Sequence, residues 1–392
     1  MADKAYITPK VLRWARESAR ISLETAAAKV NVTAEKLSEW EEGVELPTIR
    51  QAETLAKSYK RPFALFFLPE VPRDFQPLQD FRKDSAKELG TASVFIIREI
   101  QQKQTWTREV YEDEGNLPLP FVGKYNLDTS PQQVAADILS TLQIDPLNYK
   151  SANPIKEWIE KAEAKGIFIS RTSFIHSKLK LDSKELQGFA IADKYAPFVF
   201  VNSENWDAPQ LFTLVHELAH IWIAASGISN EIEPELDHKD NSHPVEIFCN
   251  EVAANALMPS SIMLGLPPST YNAGNEVFNS AKKLGISSFA LLVRAFNMQL
   301  ISLDKYRKLK KEAEISFRNF LIKEAEINAR RKEKKDKGGP NYYMLLVNKN
   351  GHLFTKVVMD AFRGGFIQPT QASSLLNTQI NNFSKLESFL YK

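Results

Sequence analysis

The chain is poor in cysteine: Cys249 is the only one in 392 residues, so no disulfide can form within it. With no signal peptide ahead of the first helix, the expectation is a protein of the reducing cytoplasm. No apolar run approaches the roughly 18 residues that a membrane-spanning helix needs. Excess charge is also lacking, since 50 Lys+Arg stand against 48 Asp+Glu for a net of +2. Any polyanion partner must therefore be met by a local patch. Histidine is scarce too, six in all, so its placement is informative. With 43% hydrophobic residues the chain is globular and long enough for two or three domains.

Two of the six histidines lie four apart in Thr213-Leu-Val-His216-Glu217-Leu-Ala-His220-Ile-Trp-Ile223. The stretch reads as an amphipathic helix, on one face of which both imidazoles can reach a single zinc ion. Glu217 beside them is placed to act on a metal-activated water, the core of a zinc metalloprotease. Such a site needs a third protein ligand. The metzincin arrangement would put Gly and His at positions held by Ile223 and Ser226, so it does not apply. After a polar loop from Gly227 to Ser242, a second helical pattern runs from His243-Pro244 to Pro259. Glu246 lies in its first turn and is taken as the third ligand.

Upstream, Glu185–Asp193 and Ala196–Asn202 read as two strands, one with a free edge that could hold an extended peptide. His176, His238 and His352 read as ordinary core or surface side chains. His243 reads as structural or as a neighbour of the metal ligands, and Cys249 as a small buried apolar residue. An oxyanion donor is also required; Tyr271, His238 and His243 are the candidates.

Gly188-Phe189, Pro197–Asn202, Phe212-Thr213, His216–His220 and Glu246–Pro259 together resemble the ImmA/IrrE metallo-endopeptidases over roughly residues 150–300. The resemblance implies zinc bound by His216, His220 and Glu246, with Glu217 as catalytic base. It also implies a protein substrate of the transcriptional-repressor type, cut in a stress, mobile-element or toxin-antitoxin response.

The N-terminus carries capped, short helical patterns at Thr8-Pro9, Ser22, Thr33 and Pro47-Thr48, with Asn31 and Gly43 as turns. From Ile21 to Ala56 it resembles the phage-repressor (XRE-type) helix-turn-helix family. That resemblance implies dimer pairing, and DNA contact by Thr33, Ala34, Glu35, Lys36 and Ser38. Arg13, Arg16 and Arg20 would touch the phosphate backbone. Residues 33–42, however, hold four glutamates against one lysine, and residues 1–70 carry a net of only +1. A protein-docking role is therefore the alternative use of this domain. Residues 305–337 are the basic stretch, net +7, and read as a solvated helical face or a phosphate or acidic-partner contact.

The expected architecture is mostly helical α+β: a four- to five-helix domain at 1–72, a helical connector at 73–150 and a zincin-like peptidase domain with a small sheet at 151–304. A basic helix and linker at 305–340 and a small α+β module at 341–392 complete it. The competing function is a non-proteolytic DNA-binding repressor or antitoxin that uses the zinc fold for binding or structure.

Overall fold

The computed structural model describes residues 3–73, 78–81, 88–176, 179–230, 243–334 and 341–391. His238, most of the loop up to Ser242, and the 335–340 linker lie outside them. The chain divides into two compact units. One comprises residues 1–77, 86–101 and 174–180; the other comprises 78–85, 102–173 and 181–392.

The first unit is built on α1 (Pro9–Ser18), α2 (Leu23–Lys29), α3 (Ala34–Glu42) and α4 (Ile49–Ser58). The boundaries follow from capping chemistry. The Ser22 and Thr33 side chains accept the N–H groups of Thr25 and Lys36, and Thr48 and Gln51 form a reciprocal capping box. Gly43, at φ 80°, closes α3 in the left-handed region that an L side chain resists. Leu12, Ala15, Leu37, Leu55, Tyr59 and Phe66 fill the centre. The 23-residue α5 (Thr91–Asp113) gives this unit its residues up to 101, and a short hairpin pairs Phe174–His176 with Leu179–Lys180.

The strands in chain order are β1 (Gln79–Asp80), β2 (Phe168–Thr172), the hairpin's β3 and β4, β5 (Gly188–Ile191), β6 (Phe198–Asn202) and β7 (Gly227–Ser229). In the second unit they form one mixed sheet of order β1-β7-β5-β6-β2. β6 runs parallel to β2 and antiparallel to β5, while β1 runs parallel to β7. Phe-Val-Phe-Val in β6 is buried on both faces, as a central strand should be. The free edge expected at β5 or β6 is therefore absent: each pairs on both sides. The extra partner of β5 is β7, whose three residues Gly-Ile-Ser fall at the head of the stretch read as polar loop, too short to register as a strand.

Helices α6 (Pro131–Leu142), α7 (Pro154–Glu163), α8 (Asp207–Trp222), α9 (Pro244–Leu257), α10 (Ser260–Gly265), α11 (Gly274–Leu284), α12 (Ser288–Asn297) and α13 (Leu303–Lys334) complete the main body. Val134, Ile138 and Leu142 of α6 lie in the same core as Leu214, Val215 and Leu218 of α8 and Val252 of α9. Part of the expected connector is thus wall material for the site. Trp222 stacks on Phe121 at 4.6 Å and donates its indole N–H to Asp137 at 2.8 Å. The helix pair α11–α12 is core as well, with Val277, Leu291 and Leu292 buried.

The C-terminal module differs from expectation in being helical among the described residues: α14 (Tyr342–Asn350), α15 (His352–Arg363), α16 (Pro369–Leu376) and α17 (Phe383–Leu390). By sequence Tyr342–Val347 reads as a strand that turns at Asn348–Gly351 and continues as His352–Val358, either a hairpin or a strand leading into a helix; the second segment is a helix, and so is the first. A short apolar run has no decisive period, and the burial of Phe354, Val358 and Met359 follows the helical one. Gly351, at φ 88°, breaks one helix and starts the next beside the Ile169 carbonyl, where a Cβ would come within 2.5 Å. Here the module meets the sheet. Ser170 donates to the Lys349 carbonyl, and the buried Lys103 ammonium donates to Asn350 Oδ1 at 2.8 Å. Glu163 accepts the Leu353 N–H at 3.1 Å, and burial pushes its carboxyl up to about 7.

Candidate metal centre

Helix α8, expected to be amphipathic, is instead buried on every face from Gln210 to Trp222. His216 and His220 are one turn apart on it, and the first turn of α9 brings Glu246 to both. The His216 and His220 Nε2 atoms are 3.0 Å apart. Glu246 Oε2 is 3.3 Å from the first and Oε1 3.1 Å from the second. These three are the group that could hold a metal among the described residues.

The donor chemistry fits. A tetrahedral zinc with bonds of about 2.0–2.1 Å separates its ligand atoms by about 3.3 Å, close to the spacing seen here. Each imidazole has its second nitrogen committed: His216 Nδ1 to Asn250 Oδ1 at 2.9 Å, and His220 Nδ1 to the Ala225 carbonyl at 3.0 Å. Both partners accept, so both Nδ1 atoms carry the proton and both Nε2 lone pairs point inward. Burial lowers the His220 pKa, with Glu246 opposing, which favours the neutral ring that a metal requires. Burial would raise the Glu246 carboxyl, but with the metal absent and the two histidines carrying protons on Nε2 their charge and hydrogen bonds outweigh it and hold the group well below its usual range. Ser229 of β7 adds a hydroxyl to Glu246 Oε1 at 3.2 Å.

Glu217 lies between the histidines, fully buried, and neither carboxylate oxygen has a hydrogen-bond partner among the described residues. Burial, then the charge of Glu246, push its pKa far up, opposed by the Ser229 hydroxyl. A buried carboxylate with no partner is costly unless a ligand completes it. Gly188 of β5 makes the room: a Cβ there would stand 2.8 Å from Glu217 Oε1, 2.7 Å from Thr213 Cγ2 and 3.0 Å from the Phe200 carbonyl oxygen.

The other candidates separate cleanly. His243 is the N-cap of α9, its Nδ1 accepting the Val245 N–H at 3.3 Å, and is not part of the triad. Cys249 is fully buried, and burial raises its thiol pKa, so it is an inert apolar filler. Tyr271 is buried with an unpartnered hydroxyl, which burial pushes up to about 12. Four supporting features escaped the sequence reading: Asn250, Ser229, the Ala225 carbonyl and Phe81, whose ring stacks on His220 at 5.4 Å. Asn250 alone carried a signal, one turn after Glu246 on the same helix.

In the first unit, the cations expected to face DNA are engaged within the domain. Arg16 is only 13% exposed and grips the buried Glu41 through Nε at 2.7 Å and Nη2 at 2.8 Å. It is a structural residue, which corrects its expected role at the phosphate backbone. Arg13 pairs with Glu41 and Glu42, Arg20 with Glu88, and Lys36 with Glu39 and Glu45. Thr33 is spent as a cap and Ser38 donates to Glu42. Ala34 and Glu35 open α3, and Glu35, exposed, puts a negative charge at the end of the helix that was to enter the groove.

No helix among the described residues is long and apolar enough to cross a membrane. No curated protein matches the chain. The family model of the IrrE N-terminal-like domain, peptidase type M78, matches residues 162–296, from the end of α7 to α12, and a helix-turn-helix model matches residues 12–66. The chain thus carries a helix-turn-helix domain at its N-terminus and, around the His216–His220–Glu246 cluster, an IrrE N-terminal-like domain of the M78 metallopeptidase type.

Proposed function

We propose that the protein is a zinc-dependent endopeptidase coupled to a helix-turn-helix regulatory domain. The observation that carries this reading is the convergence of two imidazole Nε2 atoms and one carboxylate beside a buried carboxyl group, Glu217, without a hydrogen-bond partner among the described residues. His216, His220 and Glu246 hold the metal. Zinc supplies Lewis acidity, making water acidic near neutral pH and polarising a peptide carbonyl. Glu217 takes the proton as the water oxygen bonds to the carbonyl carbon. It then delivers that proton to the departing amine as the C–N bond breaks. Asn250 and the Ala225 carbonyl keep both imidazoles in the one tautomer this needs.

The substrate is a protein of the transcriptional-repressor type, recognised through pairing of like helix-turn-helix domains, and cleavage answers a stress, mobile-element or toxin signal. DNA contact by the first unit requires opening exposed ion pairs such as Lys36–Glu45, which individually stabilise little. The basic α13 is the other surface suited to phosphate or an acidic partner. A non-proteolytic repressor or antitoxin is favoured by one observation: His216, Glu217 and His220 are all fully buried.

Proteolysis separates the two readings. The full chain, supplied with zinc, is incubated with a panel of helix-turn-helix repressors, its own N-terminal domain included. Cleavage at a defined bond, stopped by a chelator and restored by zinc, is the expected result. An intact panel with zinc bound to the chain contradicts the enzyme and leaves the regulator.

A further inference from the structure

β7 lies beside the triad: Ser229 reaches Glu246, and the backbone from Gly227 to Ser229 has β5 on one side. Its other side is where an extended peptide would add as a strand. That side is taken by the chain itself. Gln79 and Asp80 pair in parallel with Gly227 and Ile228, and the Phe81 N–H donates to the Ile228 carbonyl at 3.0 Å.

The side chain that follows is the more telling part. The Phe81 ring is 4% exposed, lies nearly parallel to the His220 imidazole at 5.4 Å, and meets the His243 ring at 4.8 Å. Gly227 forms the floor of this pocket. A Cβ there would fall 2.1 Å from the ring, so the site is shaped around an aromatic group. Gln79 and Asp80, by contrast, are exposed. Only Phe81 is buried, as expected of an anchor residue in a strand that is otherwise held by its backbone. It presents its ring to the ligand histidine.

We propose that Gln79–Phe81 is an internal occupant of the peptide groove, and that substrates are extended segments whose phenylalanine takes the pocket of His220, His243 and Gly227. This rests on the peptidase reading of the triad. It accounts for the complete burial of His216, Glu217 and His220: a substrate reaches them only by displacing β1.

The test uses the full chain in a Glu217→Gln background, so that peptide is bound without being consumed. The probe is a fluorescent peptide with the sequence of residues 76–84. Adding Phe81→Ala should tighten binding at least about tenfold by removing the buried competitor, whereas Phe81→Tyr should leave it near the parent value. A peptide with its phenylalanine replaced by alanine should bind neither. Equal affinity in parent and Phe81→Ala, or binding indifferent to the peptide's phenylalanine, overturns the proposal.

If Phe81→Ala does not fold, deuterium exchange on the parent serves instead. Saturating peptide must speed exchange at residues 79–81, and unchanged exchange with peptide bound overturns the proposal. Cleavage is read separately with Glu217 intact. Cutting that persists while Phe81→Ala leaves peptide affinity unchanged overturns the internal occupant alone. A tenfold gain in peptide affinity with no cutting of any protein supports the occupant and removes the enzyme.

Discussion

Glu217→Gln abolishes cleavage while leaving the metal in place. Glutamine keeps the shape of the side chain and removes the atom that takes the proton, a loss of about 10²–10⁴ in rate for a positioned general base. Metal content should not fall, because the converging ligand atoms are those of His216, His220 and Glu246. The substitution also replaces a buried carboxyl that has no hydrogen-bond partner among the described residues and whose ionisation burial and the charge of Glu246 both oppose. The metal-free variant should therefore melt no lower than metal-free wild type. Loss of rate without loss of Tm marks a group kept for chemistry at the expense of stability. Cleavage that survives in the variant would move the base elsewhere; a variant that loses its metal would make Glu217 a ligand.

Gly188→Ala strikes the same place from the sheet. The added methyl would meet Thr213 Cγ2, Glu217 Oε1 and the Phe200 carbonyl, all within 3.0 Å. The two side chains could turn aside, but the carbonyl belongs to the β5–β6 ladder and is fixed by pairing. Overpacking of this kind costs about 1–3 kcal/mol, and relief comes most readily from Glu217, which no hydrogen bond among the described residues restrains. The expected result is a lower Tm by thermal denaturation together with a fall in cleavage rate, at unchanged metal content. A variant with wild-type Tm and rate would show that the strand and helix do not approach so closely.

Much of this site was legible because the chemistry lies in local patterns. His216, Glu217 and His220 share one helical face, Glu246 opens the next helix beside its proline, and Thr33, Thr48 and Gly43 mark helix ends by capping chemistry that needs no tertiary contact. The arrangement of the sheet was not legible. Gly227–Ser229 and Gln79–Asp80 are strands of three and two residues whose existence depends on partners far away in the chain. Neither carries a periodic signal. The same limit hid Phe81 above His220 and turned Tyr342–Val347 from a strand into a helix. The ion pairs of Arg13, Arg16, Arg20 and Lys36 were hidden for a related reason: charge counting registers the net of +1 but not which glutamate each cation meets.

The claim on which the rest depends is that three side chains hold one metal ion. Elemental analysis of the full chain, purified without added zinc, alongside His216→Ala and Glu246→Ala, tests it most directly. About one zinc per chain in wild type, with strong loss in both variants, is the predicted result. Wild type without metal, or zinc retained in full when Glu246 is removed, would contradict it.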